Sequence, residues 1–216
     1  MGSRIMHLII AEQVSKQLKI EGVPEFLLGG IAPDATFARE QKDESHFYEG
    51  SIDDGTRFVN YERFIEKYSV DTRSAFELGY LTHLISDDVW LKQVYFKKDL
   101  KNRVDAEPAL LEKWHSDFRK LNGRLIEQFG CADLKEVLAE SVFPKNSFEE
   151  IELKDLRQFK EETLGDFTYK QEDLLKDLEV YSWEEILDYI KSAADEASRI
   201  CLSINQKSAV SESTKI

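Results

Sequence analysis

Turn-forming residues are scarce in this chain. Glycine (10) and proline (4) together account for 14 of 216 residues, about half of average usage. That scarcity excludes collagen-like and low-complexity disordered chains and argues against a turn-rich β sandwich or barrel. Cysteine is scarcer still. Cys131 and Cys201 cannot make a disulfide framework and have no Cys or His at metal-ligand spacing, so they read as small buried apolar residues in a reducing compartment. There is no run of five or more basic residues, and the net charge is −13 with a pI near 4.9. An acidic chain repels phosphate backbones, which excludes nucleic acid as the expected partner. No apolar stretch approaches the roughly 20 residues of a membrane span, so no stable membrane insertion is expected. The opening MGSRIMHLIIAEQ has an apolar run broken by His7 and no small-residue cleavage site, and so does not read as a signal peptide. Gly2 lacks the Ser or Thr at position 6 that myristoylation needs. The expectation is one cytoplasmic domain over residues 1–206, followed by a flexible polar tail, 207–216.

Apolar residues at 42% and charged residues at 33% give a core under a heavily charged surface. Apolar positions recur at helical spacing over 6–19, 60–68, 107–129 and 182–205. The last of these opens with a Ser-Trp-Glu-Glu capping box. Shorter helices are expected at 133–142, 148–162 and 170–178. The segment 71–96, capped by Asp71 or Thr72, is apolar nearly all round from Ala75 to Leu91, as a helix surrounded by other helices must be. Gly29-Gly30 and Pro33 read as breaks, and 35–56 as a long polar loop tucked in by Phe47 and Tyr48. No internal repeat and no strand alternation is visible. The fold class is all-α, a compact multi-helix bundle around one core helix.

The four histidines are His7, His46, His83 and His115. His83 and Asp87 are four apart on the core helix and project from one face, with Asp88 next to them. An unpartnered buried carboxylate costs several kcal/mol of lost hydration. No Lys or Arg lies between Gly79 and Leu91, so compensation must come from elsewhere: an Arg, a ring of backbone N–H groups, or a metal ion. The pair reads either as a hydrogen-bonded surface couple or as two ligands of Zn²⁺ or a similar ion. Taken singly, His7 reads as a core histidine and Asp34 as a cap or turn residue. His46 reads as an exposed loop residue and His115 as an interfacial helix residue.

In order, the chain carries Ile-Met-His7, then Phe-Leu-Leu-Gly-Gly-Ile-Ala-Pro-Asp34, then Ser-His46-Phe, then Gly-Tyr-Leu-Thr-His83-Leu-Ile-Ser-Asp87. This set resembles the bacterial zinc-dependent phospholipase C family over residues 5 to about 91, with KWHSDFRKLNG (113–123) as a further block. The resemblance implies an all-α bundle with metals among its helices. It implies that His46, His83 and Asp87 hold one metal and that Asp34 lies at the same ion as general base toward the attacking water. His7 then holds a neighbouring ion bridged by Asp87. Two departures stand out. The tryptophan with which the secreted enzymes begin is missing, and the family's later His-x-x-x-Glu helix is missing too. Only His115 remains there, with Arg119 four residues on, so a site of one or two ions is expected rather than three. His115 could join it through Asp88 or Asp117. The resulting expectation is a metal-dependent hydrolase of a small phosphate ester or lipid-derived substrate, using zinc or another divalent transition metal. The alternative is a non-catalytic helical binding or scaffold protein with a structural metal. A phosphohydrolase of the His-Asp type would show adjacent His-Asp residues, and none occurs. The sequence assigns no oligomeric state.

Overall fold

The structure, a computed structural model, describes residues 2–37, 39–70, 74–144 and 148–213, with no side chains described at 39, 40 and 205–213. Helix α1 (Arg4–Leu18) starts where the Ser3 hydroxyl accepts the Met6 N–H, and its residues from Ile5 to Ala11 are all buried. Helix α2 (Val23–Ile31) opens with Pro24, whose fixed φ suits a first turn, and runs into a 3₁₀ turn, Ala32–Asp34. Then come α3 (Arg39–Ser45), an antiparallel pair of β1 (Tyr48–Glu49) with β2 (Phe58–Val59), and α4 (Tyr61–Tyr68), capped by Asn60. Helix α5 (Ala75–Trp90) is capped by Ser74 and continues as a π-helical turn, Leu91–Tyr95. The rest of the described chain holds α6 (Leu100–Ala106), α7 (Leu110–Phe129), α8 (Leu134–Ala139), α9 (Leu153–Gly165), a 3₁₀ turn (Gln171–Leu175) and α10 (Trp183–Ser213). The fold is all-α, and no described helix is long and apolar enough to cross a membrane.

Helix α5 is the hub: α1, α2, α4 and α10 all pack on it, and its residues from Leu78 to Trp90 are all buried. The capping box of α10 forms as expected. The Ser182 N–H donates to Glu185 Oε2 at 2.8 Å, and the Glu185 N–H donates to Ser182 Oγ at 3.1 Å. Both cysteines are buried and free.

Several expectations are corrected. Segment 35–56 is not one loop, because α3 and β1 lie within it. The seven residues of α3, REQKDES, contain no apolar residue from which a helical stripe could be read. Helix α6 was not expected, α9 begins at Leu153 rather than 148, and the 170–178 segment holds only a 3₁₀ turn. Helix α10 runs to Ser213, into the expected tail, of which 214–216 lie outside the described residues. Asp71 and Thr72 also lie outside them, and Ser74 is the cap of α5.

Gly29 and Gly30 do not break α2. They lie inside it and let it touch α5. A Cβ at Gly29 would sit 2.0 Å from the Phe76 carbonyl oxygen, and one at Gly79 would sit 2.0 Å from that of Phe26. The two backbones therefore meet directly, an approach only glycine permits. Gly79→Ala should force the helices apart and lower stability by roughly 3 kcal/mol or more, the upper end of overpacking costs. Gly165→Ala, where an added Cβ meets nothing within 4 Å, should change stability by less than about 1 kcal/mol. Urea unfolding of both variants checks this, and equal midpoints would contradict it.

Candidate metal centre

The glycine crossing sets the first piece of the site. It brings the Gly30 carbonyl onto His83, whose Nδ1 donates to it at 2.8 Å. His7 comes from the second turn of α1, and its ring stacks on that of His83 with centroids 3.8 Å apart. Asp34 ends the 3₁₀ turn after α2. His46 follows α3, and Asp87 lies one turn beyond His83 on α5. Phe47 has a left-handed backbone with φ of 51°, rare for a bulky residue, and it turns the chain from His46 into β1.

Five of the six sequence-predicted residues meet. His46 Nε2 lies 3.3 Å from Asp34 Oδ1, 3.3 Å from His83 Nε2 and 3.5 Å from Asp87 Oδ2. His83 Nε2 is 3.9 Å from Asp34 Oδ2, and His7 Nε2 is 3.6 Å from Asp87 Oδ1. Donor atoms of Asp34, His46 and His83 all lie within 4.8 Å of one another, as do those of His7, His83 and Asp87. The expected trio of His46, His83 and Asp87 draws on both groups, which share His83, with His46 Nε2 and Asp87 Oδ2 3.5 Å apart across them.

The hydrogen bonds fix the tautomers. A carbonyl can only accept, so Nδ1 of His83 and of His46 must carry the proton each gives to Gly30 and Lys42 (2.9 Å). The Ser86 hydroxyl donates to the His83 carbonyl at 2.7 Å, which leaves it to accept from His7 Nδ1 at 3.1 Å. All three Nε2 atoms therefore point bare lone pairs inward, toward each other and toward two carboxylates. His7 Nε2 is buried and has no hydrogen-bond partner. Such an arrangement is repulsive without a cation. It also fits one. Bonds of about 2.0–2.1 Å to a tetrahedral zinc ion put neighbouring donors about 3.4 Å apart. The imidazole and carboxylate set, with no sulfur, suits zinc or a related divalent ion.

Electrostatics agree. Burial pushes His46 and His83 below the ordinary histidine range and His7 down to about 4, so all three stay neutral. Burial works against ionised Asp34, yet the Lys42 ammonium holds it well below the usual carboxylate range. Asp87 is also lowered against burial, by the chain's positive amino group first and then by the imidazoles of His83, His46 and His7.

Three contributors were not read from the sequence. The Lys42 ammonium donates to Asp34 at 2.6 Å, the Tyr48 hydroxyl to Asp87 Oδ2 at 2.9 Å, and Ser86 orients His7. Lys42 is four residues before His46, a helical spacing hidden by reading a loop there. Ser86 and Asp87 are three and four residues after His83, on its face. Asp88 is an anchor: it accepts the Val59 N–H at 3.3 Å and pairs with Lys92, holding the hairpin on α5.

The structure does not bring His115 to the cluster. On α7, Trp114 is turned into the core, and the next residue, about 100° further round, is exposed. Asp117 does not serve a metal site with it. Buried on α7, it accepts the N–H groups of Glu179, Val180 and Tyr181 and fixes the entry to α10.

The metal-free protein carries a measurable consequence. Unfolded His7 takes its proton near 6.5, the folded residue only near 4. Between those values the unfolded state binds more protons, so stability must fall as pH falls. His7 alone removes on the order of 3 kcal/mol from pH 7 to pH 4, and His46 and His83 add in the same direction. Urea midpoints of chelator-treated protein check this, and a flat profile through that window would contradict it.

A family model described as zinc dependent phospholipase C matches residues 6–126, reaching past the quoted motifs into α7. Comparison with curated proteins and with solved structures finds no match. The family match and the His/Asp groups together support a metal-dependent hydrolase with a metal cofactor. With more than half its length matched and its fold all-α, the chain belongs to the zinc-dependent phospholipase C family.

Proposed function

We propose that the protein hydrolyses phosphate esters, lipid-derived or small, at a zinc-type centre of one or two ions. His46, His83 and Asp87 would hold one ion, with Asp34 beside it, and His7 a second ion that Asp87 bridges to the first. Bound there, a divalent ion would acidify a water molecule and polarise a phosphoryl oxygen.

One observation carries the catalytic reading over the scaffold reading. Among the five clustered residues His7, His46, His83 and Asp87 are at most 2% exposed, whereas the Asp34 side chain is 11% exposed. Beside it Lys42 and Tyr48 line a cleft of about 480 Å³. A structural ion is closed off by protein, while a catalytic one keeps an open position. The open side here is the side of Asp34. Asp34 accepts the proton of the attacking water through a carboxylate oxygen, and Lys42 keeps that carboxylate ionised. Tyr48 fixes Asp87 from the cleft side. The Gly30 and Lys42 carbonyls hold His83 and His46 in the tautomer that presents Nε2 inward.

Asp34→Asn should keep most of the bound metal and lower kcat on 4-nitrophenyl phosphate about 10²–10⁴-fold, the range for losing a general base. Asp87→Asn should lose metal itself. Elemental analysis beside steady-state kinetics reads both. Full metal occupancy in Asp87→Asn would overturn the ligand assignment. Bound metal with no turnover of any phosphate ester would favour the scaffold reading.

A further inference from the structure

The cleft beside the centre has chemistry that the hydrolytic step does not use. It is lined by three cations, Lys42, Arg57 and Lys101, and by two carboxylates, Asp43 and Asp53. Asp43 pairs with Arg57, and Lys101 Nζ lies 2.5 Å from Asp105 and 3.2 Å from Asp53, so carboxylates fix both cations in place. Lys42 faces Asp34, whose charge a metal ion would share. In a chain of net charge −13, the residues lining this wall include three cations and two acids, with Asp105 outside the lining as a second partner of Lys101.

The aromatic beside the centre is closed to a cationic ligand. One face of Tyr48 stacks on His46, with centroids 5.2 Å apart, and the Arg57 guanidinium lies over the ring, 4.2 Å from its centroid. The Tyr48 hydroxyl is on Asp87. A quaternary ammonium needs an aromatic face; a protein cation already lies over this ring, and the cleft's other aromatics, Tyr95 and Trp114, are buried with their ring centroids 5.9 Å apart. What Arg57 and Lys101 offer instead is recognition of an anion.

We infer that this cleft is a second-anion subsite: the substrate carries, beyond the scissile phosphate, a carboxylate or second phosphate that Arg57 and Lys101 bind. The inference rests on the hydrolytic reading for its orientation, but binding tests it separately. Three phosphate esters differ in the charge of their tail: phosphoglycolate (anionic), glycerol 1-phosphate (neutral) and phosphorylcholine (cationic). Calorimetric titration into zinc-loaded protein should rank them in that order, with at least tenfold between the first and last. Arg57→Gln and Lys101→Gln should each weaken phosphoglycolate several-fold, leave zinc content unchanged and leave glycerol 1-phosphate affinity nearly unchanged. Lys101 stands on a surface helix, so its variant serves if Arg57→Gln disturbs the hairpin. Phosphorylcholine binding as tightly as phosphoglycolate, or an unchanged ranking in both folded variants, would overturn the subsite. Phosphate release is followed in parallel. The ranking without turnover would sink the hydrolase reading and leave the subsite standing, whereas turnover without the ranking would sink the subsite alone.

Discussion

Two imidazole nitrogens face each other 3.3 Å apart in the middle of this protein, and neither carries a proton, because each ring has given its only proton to a backbone carbonyl. A third bare nitrogen, on His7, and the carboxylates of Asp34 and Asp87 close the ring around them. Buried electron-rich groups of this kind repel unless positive charge lies among them. Much of the surrounding structure holds that arrangement. The glycine contact of α2 with α5 delivers the Gly30 carbonyl, the left-handed turn at Phe47 separates His46 from Tyr48, and Asp88 clamps the hairpin that carries Tyr48.

The cost of such a centre is spread through the fold. Neutral buried histidines make the metal-free state acid-sensitive, and helices in backbone contact leave no room for even one methyl group at Gly29 or Gly79. The centre is at the same time nearly sealed. Of its five described residues Asp34 alone is partly exposed, and beyond it the cations Lys42, Arg57 and Lys101 stand in a cleft of an otherwise acidic molecule. Net charge therefore says little about what that cleft binds, because three cations line it in a chain of net charge −13.

The core helix was legible in the sequence because its apolar surface runs nearly all round and still contains His83, Asp87 and Asp88. Those residues make no sense in a core unless something compensates them. Asp34, His46 and His7 were legible only through the order of short motifs resembling a family, since each taken alone looks like a cap, a loop residue or a core histidine. His115 misled because the pattern around it, Lys-Trp-His-Ser-Asp-Phe, shows residue types and not facing. One residue of helical rotation separates buried Trp114 from exposed His115. Lys42 and Tyr48 were hidden because α3 has no apolar stripe and β1 is two residues long, too short for alternation to register. Gly29 and Gly30 were read as punctuation because close helix packing and helix breaking use the same residue.

The central claim is that a metal ion fills the space among these nitrogens and carboxylates. The most direct test is zinc K-edge X-ray absorption on protein reconstituted with one equivalent of zinc. The account predicts a first shell of nitrogen and oxygen at about 2.0–2.1 Å with imidazole scattering behind it, and no sulfur. Zinc that washes out on desalting, or a sulfur shell from Cys131 or Cys201, would contradict it.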